Sequence, residues 1–255
     1  MPEAGLIPQN GGSQVTWREA PAFGVRHTSG LTIYDESLVN GRLIGRYWAT
    51  TGFAEVEEIA NEITERVGLP THAFELNLDG QSLHFGWRLV ESSEPPSDRP
   101  GASHSVLELA HELRPVTVRV HTLLDGGPIL VRWLEITNTG NVPAALAAVT
   151  PWSGVLMRVR SRFGRTELPG QVDHLFSVGR FANPEWGGEG DFVWEKLPFG
   201  VFRLEGRRGR SGRPAPFFVV RNEATGEMAI GHVAWSGNWG VELTCELDPV
   251  GHEAW

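Results

Sequence analysis

The sequence is poor in cysteine and lysine, and each shortage excludes or disfavours a class of site or partner. Cys245 is the single cysteine, so no disulfide can form within the chain and a thiolate zinc cage is excluded. We expect a buried thiol there, because Cys245 lies in a strand-like pattern. Lys196 is the only lysine, and 22 basic residues face 31 acidic ones. The resulting net charge of −9 argues against nucleic acid as a partner, because a phosphate backbone requires a basic surface.

Long apolar runs are missing too. No stretch approaches the length that crosses a membrane, and residues 1–12 lack the apolar segment of a signal peptide. We therefore expect a cytoplasmic protein without a membrane partner. The hydrophobic fraction of 40% is typical of a globular chain that can bury a core. All-β domains often reach this length, which favours a single domain over 1–255.

The usual catalytic signatures are also absent. The sequence contains no Walker phosphate loop, no Rossmann glycine pattern, no nucleophile elbow and no HExxH pair among its nine histidines. The pairs His111-Glu112 and His252-Glu253 have no second ligand at metal spacing. The sequence therefore predicts no catalytic residue, no metal ligand and no cofactor.

One segment, 53–67, has helical periodicity. Its apolar residues recur at a spacing that aligns them in one stripe, and they are Phe53, Val56, Ile59, Ala60, Ile63 and Val67. Gly68 suits a left-handed cap, and Pro70 prevents the helix from continuing. The pattern predicts an amphipathic helix that packs on a sheet.

The rest of the chain has the pattern of strands separated by turns. Apolar and polar residues alternate over 82–89, 116–121 and 241–248, which predicts three strands with one wet face each. Residues 129–136 are apolar on both faces apart from two charged residues, which predicts a more central strand. Many strands with one helix predict a mainly β fold of packed antiparallel sheets.

The stretch 183–195 carries the richest chemistry, with two tryptophans and four carboxylates around a glycine hinge. A sugar has apolar C–H faces that stack on indole and hydroxyls that carboxylates bind. Trp186, Glu189 and Trp194 are therefore candidate sugar contacts, and the alternative is a solvated loop with buried indoles. A catalytic acid/base pair is disfavoured, because nothing in this stretch keeps one carboxyl protonated beside an ionised one.

A second candidate is the turn at 235–239, which has an indole on each side. Trp235, Asn238 and Trp239 are candidate sugar contacts if the turn is an aromatic-walled hairpin tip whose asparagine binds hydroxyls. A tight turn clamped by two core tryptophans is the simpler interpretation. Composition does not choose between the two.

Three blocks occur in order along the second half of the chain. They are Arg132-Trp133-Leu134-Glu135-Ile136-Thr137-Asn138-Thr139-Gly140, the region from Trp194-Glu195 to Gly206-Arg207-Arg208-Gly209-Arg210, and the segment from Pro216-Phe217-Phe218 through Gly226-Glu227 to Trp235-Ser236-Gly237-Asn238-Trp239. In this order and spacing they resemble the N-terminal domain of family 36 glycoside hydrolases, the melibiase-type α-galactosidases. The resemblance covers about residues 115–245.

The resemblance implies an antiparallel β-supersandwich related to the galactose mutarotase fold. It also implies that the catalytic aspartates belong to a following (β/α)8 barrel, so we expect this chain to be an N-terminal fragment that is inactive alone. The fragment would lack the barrel and end before the family's last sandwich strands. Its implied roles are to support the barrel in cis, to form homo-oligomer contacts and to reach the rim of a site for α-galactosides.

Three other functions stay open on the sequence. A free-standing carbohydrate-binding module for galactose-type sugars is suggested by the tryptophan–carboxylate loop. An aldose epimerase is suggested by fold analogy alone, with His174 or His232 and a nearby glutamate as acid and base. A purely structural, oligomer-forming domain is compatible with the accessory role.

Overall fold

The computed structural model describes residues 12–20, 22–50, 72–157, 174–181, 191–207 and 215–245. Of these residues, 61% lie in strands and none lies in a helix, which confirms the mainly β fold. The helix predicted over 53–67 lies outside the described residues. Among the described residues, no helix has the length and apolar character needed to cross a membrane.

The described residues form seventeen strands, and every pairing between them is antiparallel. The strands are β1 (Ser13–Arg18), β2 (Gly24–Ser29), β3 (Thr32–Val39), β4 (Arg42–Thr50), β5 (Glu75–Leu78), β6 (Gln81–Ser82), β7 (Trp87–Ser93), β8 (Ser103–His111), β9 (Val116–Leu124), β10 (Leu130–Asn138), β11 (Leu146–Thr150), β12 (Phe176–Phe181), β13 (Phe192–Lys196), β14 (Gly200–Gly206), β15 (Phe217–Asn222), β16 (Met228–His232) and β17 (Trp239–Cys245).

The chain divides into two compact units, Met1–Val155 and Leu156–Trp255. The described residues of the first unit form three sheets, with strand orders β1-β2-β3-β4, β10-β9-β8-β7 and β11-β5-β6. Those of the second form two, with orders β13-β12-β15-β16 and β14-β17. The single domain over 1–255 and its supersandwich form stay predictions.

The core of the first unit draws on all three of its sheets. Val116, Val118 and Val120 of β9 are at most 2% exposed, whereas Thr117 and Arg119 between them lie on the wetter face. This is the alternation that the sequence predicts, because successive side chains of a strand point to opposite faces. The valines pack with buried side chains of the other strands, which include Val25, Leu43, Leu76, Leu78, Trp87, Leu107 and Leu109.

Two strand predictions in the first unit need correction. The strand expected over 82–89 is interrupted: β7 begins only at Trp87, and Phe85 before it is 52% exposed. Gly86 explains the break, since its φ of 80° turns the backbone into the left-handed region. The central strand expected over 129–136 is instead β10, which lies at the end of its sheet. Its outward Trp133 stacks on His121 with ring centroids 4.6 Å apart, which accounts for apolar residues on both faces.

An ion pair lies buried between two sheets of the first unit. Glu36 of β3 and Arg132 of β10 have side chains 0% and 2% exposed, and Arg132 Nη2 lies 2.6 Å from Glu36 Oε1. The hydroxyl of Tyr34 donates a hydrogen bond to Oε1 at 3.0 Å, and Arg132 Nε donates to the Pro151 carbonyl at 2.8 Å. Burial raises the pKa of Tyr34 well above its ordinary value, so this hydroxyl stays a donor.

The core of the second unit is smaller. Phe176, Val178, Phe218 and Val220 come from the four-stranded sheet, and Leu204, Trp239 and Cys245 come from the two-stranded sheet. Cys245 is 2% exposed, which confirms the expected buried thiol. Gly206 is required beside Trp239, because a Cβ at position 206 would collide with the indole ring.

The buried ion pair generates the first prediction. Replacing Arg132 with Met leaves the Glu36 carboxylate buried without a counter-charge, so we expect a loss of about 3–5 kcal/mol in the free energy of unfolding. Urea denaturation measures it. The matched control is Arg119→Ala, because Arg119 pairs with Glu108 and Glu135 on an exposed face and its removal should cost about 0–1 kcal/mol. Equal losses in the two variants would contradict the role of the pair.

A buried histidine generates the second prediction. His27 is 1% exposed, its Nε2 lies 2.8 Å from Ser105 Oγ, and burial is the main reason that its pKa is lowered to about 4. The unfolded chain binds this proton near pH 6.5, so unfolding is favoured as the pH falls from 7 towards 4. We expect His27 alone to contribute a loss of about 2 kcal/mol between pH 7 and pH 5. Urea denaturation measures the free energy of unfolding at both pH values. In His27→Gln the difference between the two free energies should be smaller than in the wild type by about 2 kcal/mol. An unchanged difference would contradict the lowered pKa of His27.

Candidate functional site

An aromatic surface covers the outer face of the four-stranded sheet in the second unit. Because Phe176 and Val178 of β12 point into the core, the alternate residues Gly179 and Phe181 point outward. The register places Phe181 opposite Phe192 and Gly179 opposite Trp194 on β13. We call the group of Phe181, Phe192, Trp194, Phe217 and Arg221 the aromatic face.

The rings of the aromatic face contact one another edge to face. The centroids of Phe181 and Phe192 are 5.5 Å apart at 77°, and those of Phe192 and Trp194 are 5.5 Å apart at 85°. Trp194 is 39% exposed, and the guanidinium carbon of Arg221 lies 4.4 Å from its ring centroid. The cation–π contact leaves an indole surface, held in place by neighbouring rings, open to a ligand.

A glycine makes room for two of these rings. A Cβ at Gly179 would lie 2.5 Å from Cζ of Phe192 and 3.1 Å from Cζ3 of Trp194. Real Cβ atoms do not approach other carbon atoms at 2.5 Å, so both rings rest directly on the backbone of β12. The flat glycine surface therefore sets the position of Trp194.

The carboxylate of Glu223 holds the Arg221 side chain in place. Nε of Arg221 donates to Oε1 of Glu223 at 2.8 Å, and the hydroxyl of Ser177 donates to the same oxygen. Burial raises the pKa of Glu223, but the hydrogen bonds from Ser177 and Arg221 outweigh it, so the net shift is downward. Glu223 is therefore ionised at neutral pH, which keeps the guanidinium over Trp194.

The nearby histidine does not complete a catalytic triad. Nε2 of His174 lies 2.8 Å from Ser177 Oγ and 4.0 Å from Glu223 Oε1. In a triad the imidazole lies between the hydroxyl and the carboxylate, whereas here the hydroxyl donates directly to the carboxylate. Among the described residues, no group of three or more histidine, cysteine or acidic side chains is placed to hold a metal ion.

The structure distributes the predicted sugar contacts over different environments. Trp194 belongs to the aromatic face, Trp235 is 66% exposed, and Trp239 is 9% exposed within the core of the second unit. Asn238 is exposed, and Trp186 and Glu189 lie outside the described residues. Within the described ranges no ring contact joins Trp194 to Trp235 or Trp239. The burial of Trp239 favours a core role, and its contact with sugar stays a prediction.

Sequence reasoning missed the partners of Trp194. Phe181 lies just before the stretch 183–195 and Phe192 lies within it, and pairing the two across β12 and β13 would have placed both at one end of a sheet face. The contact of Arg221 with Trp194 could not be predicted from the sequence. The two residues are 27 positions apart and meet only because β12 pairs with β15.

Comparison with solved structures shows the same fold in α-galactosidases. The galactosidase domain of the α-galactosidase–sucrose kinase AgaSK is 14% identical with a TM-score of 0.64, and 94% of this chain covers 37% of that chain. The family 36 α-galactosidase AgaB from Geobacillus stearothermophilus is 16% identical with a TM-score of 0.62, at 94% and 36% coverage. A variant of AgaA from the same organism, solved with raffinose, is 16% identical with a TM-score of 0.60, at 91% and 36% coverage.

The likeness is one of fold, since the identities lie far below those of recognisable sequence relatives. This chain spans little more than a third of the length of the solved structures that it matches. No family model matches the sequence, and no curated protein matches it. The resemblance predicted from the three sequence blocks is thus confirmed at the level of structure.

The glycine under the rings generates a prediction. In Gly179→Ala the new methyl group must displace Phe192 and Trp194, so we expect a cost of about 1–3 kcal/mol and a red shift of tryptophan emission. Urea denaturation and fluorescence measure the two effects. Gly240→Ala is the matched control, because the nearest atom to a Cβ there is 3.9 Å away. Identical spectra and stabilities for the two variants would show that Gly179 does not position the rings.

Proposed function

We propose that this chain is the N-terminal, non-catalytic β domain of an α-galactosidase-like glycoside hydrolase. One observation carries the proposal. In two α-galactosidase structures, 94% of this chain superimposes on little more than a third of the length of the other chain, with TM-scores above 0.6. In this role the chain is a single β-supersandwich that packs against a catalytic (β/α)8 barrel in cis, contributes to homo-oligomer contacts and borders the sugar site.

The size of the native gene product tests the presence of a barrel. Antiserum raised against this chain should detect a species far above 28.1 kDa in the source cells. A native species of 28.1 kDa would contradict a barrel in cis. A purified 255-residue chain should not hydrolyse a chromogenic α-galactoside, and turnover that survives repurification would overturn the non-catalytic role.

The aromatic face is the part of the proposed sugar rim that the described residues define best. Indole stacks on the apolar C–H face of a pyranose, and a guanidinium beside it donates hydrogen bonds to the hydroxyls. Trp194 and Arg221 offer this combination at 4.4 Å. The segment between Phe181 and Phe192 contains Trp186 and Glu189, which we propose as further contacts.

A second candidate function follows from the same observation. A half-exposed tryptophan already held by an arginine does not depend on another domain, so the isolated chain is suited to bind galactose-type sugars as a carbohydrate-binding module. Saturable binding by the isolated chain favours this function, whereas binding only in the presence of the barrel favours the accessory role.

Tryptophan substitution tests the sugar contact. With raffinose as the ligand, we expect quenching of tryptophan fluorescence in the wild type and a loss of affinity of about tenfold in Trp194→Ala, equivalent to ~1.4 kcal/mol. Trp235→Ala is the matched control, because it also removes one exposed indole of the second unit. Loss of quenching in Trp235→Ala alone would move the site to the 235–239 turn and contradict the aromatic face.

A further inference from the structure

A cluster of basic side chains lies in the first unit, whereas the aromatic face belongs to the second. Arg42 is the first residue of β4, and His72 forms an isolated bridge with Ile44 of the same strand. The ring centroids of His72 and His84 are 4.4 Å apart, and the Arg42 guanidinium carbon lies 3.8 Å from the centroid of Phe85. His72 and Phe85 meet edge to face at 6.4 Å, so the four side chains form one continuous group.

Backbone hydrogen bonds bring the group together. The amide of Ala73 donates to the Leu43 carbonyl at 2.8 Å, which holds His72 beside β4. The amide of Trp87 donates to the Gly41 carbonyl at 3.0 Å, which places the loop containing His84 and Phe85 at the start of that strand. The cluster is therefore built by three separate chain segments and belongs to the fold itself.

The cluster lacks a counter-charge within the described part of the chain. No hydrogen bond or ion pair there involves the side chains of Arg42, His72 or His84. His72 is 5% exposed, and both its Nε2 and the Nε of Arg42 are buried without a hydrogen-bond partner. The pKa of His72 is lowered to about 4, first by burial and then by the positive charges of His84 and Arg42.

Other arginines of the same unit show how unusual this is. Arg18, Arg26, Arg114, Arg119 and Arg132 each pair with a carboxylate. Arg88 has no such partner among the described residues, but it is exposed and water solvates its charge. Arg42 is half-buried beside two imidazoles and has no carboxylate partner among the residues that the structure describes. The group therefore presents hydrogen-bond donors that no described residue satisfies.

We propose that Arg42, His72 and His84 form a binding site for a small oxyanion, the phosphate or carboxylate group of a ligand. Guanidinium and imidazole N–H groups are the donors that oxyanions prefer, and an arginine can bind two oxygens at once. Phe85, which is 52% exposed beside Arg42, offers an apolar surface to the remainder of the ligand. The site belongs to the first unit and uses none of the residues of the aromatic face.

Titration of the full chain with inorganic phosphate tests the site. In a phosphate-free buffer of constant ionic strength, we expect saturable heat of binding and a rise in melting temperature. Arg42→Gln and His84→Gln should each weaken phosphate binding at least tenfold, and Arg42→Lys should retain part of the affinity, because it keeps the charge but loses the planar fork. Arg88→Gln is the matched control and should bind as the wild type does.

Acetate in place of phosphate distinguishes the two sources of the oxyanion. A stronger response to phosphate identifies a phosphorylated ligand, and a stronger response to acetate identifies a carboxylate. Absence of a saturable response to either probe in the wild type would overturn the proposal. So would equal binding by Arg42→Gln and Arg88→Gln, with far-UV circular dichroism confirming that both variants are folded.

Discussion

The first unit is organised around the buried ion pair of Glu36 and Arg132. The two residues belong to different sheets, and both side chains are almost wholly removed from water. Burying either charge alone is strongly unfavourable, so the two sheets must meet in the one arrangement that brings them together. Burial opposes the charge on Arg132, but the neighbouring carboxylate outweighs it and raises its pKa. The pair is no evidence of a large gain in stability, because the cost of desolvating both charges offsets much of their attraction.

The same constraint shapes strand β3 on both of its faces. The pairing of β3 with β4 shifts register between Asp35 and Glu36, and both carboxylates are buried. Glu36 pairs with Arg132. Asp35 instead forms an ion pair with Arg26, whose Nε donates a hydrogen bond to Oδ2 at 2.9 Å, and its Oδ1 lies 3.8 Å from Nη2 of Arg18. Sequence reasoning did not find this arrangement, because adjacent acidic residues ordinarily indicate a solvated strand end. Asp35 finds its partners on other strands of its own sheet, whereas Arg132, the partner of Glu36, lies about a hundred positions away and meets it only once the sheets are packed.

The alternation of apolar and polar residues predicted a strand correctly where one face of the strand is buried and the other is exposed. It succeeded for Val116, Val118 and Val120, and for β17 up to Cys245. It failed at Phe85, where a left-handed glycine ended the pattern, and it misplaced β10, whose outward Trp133 rests on His121. The candidate site divides in the same way. Composition selected Trp194 and Trp239 equally, but only the pairing of their strands shows that one indole faces outward while the other fills a core.

The sequence blocks that resemble α-galactosidases include residues that stabilise the fold. Arg132 of the first block carries the buried ion pair, and Phe218 and Trp239 of the third block belong to the core of the second unit. Packing and buried charge restrict such positions most, which is compatible with a likeness of fold at 11–17% identity. A shared fold does not by itself carry a function, so the sugar recognition proposed above must depend on outward residues such as Trp194 and Arg221, which the core does not constrain.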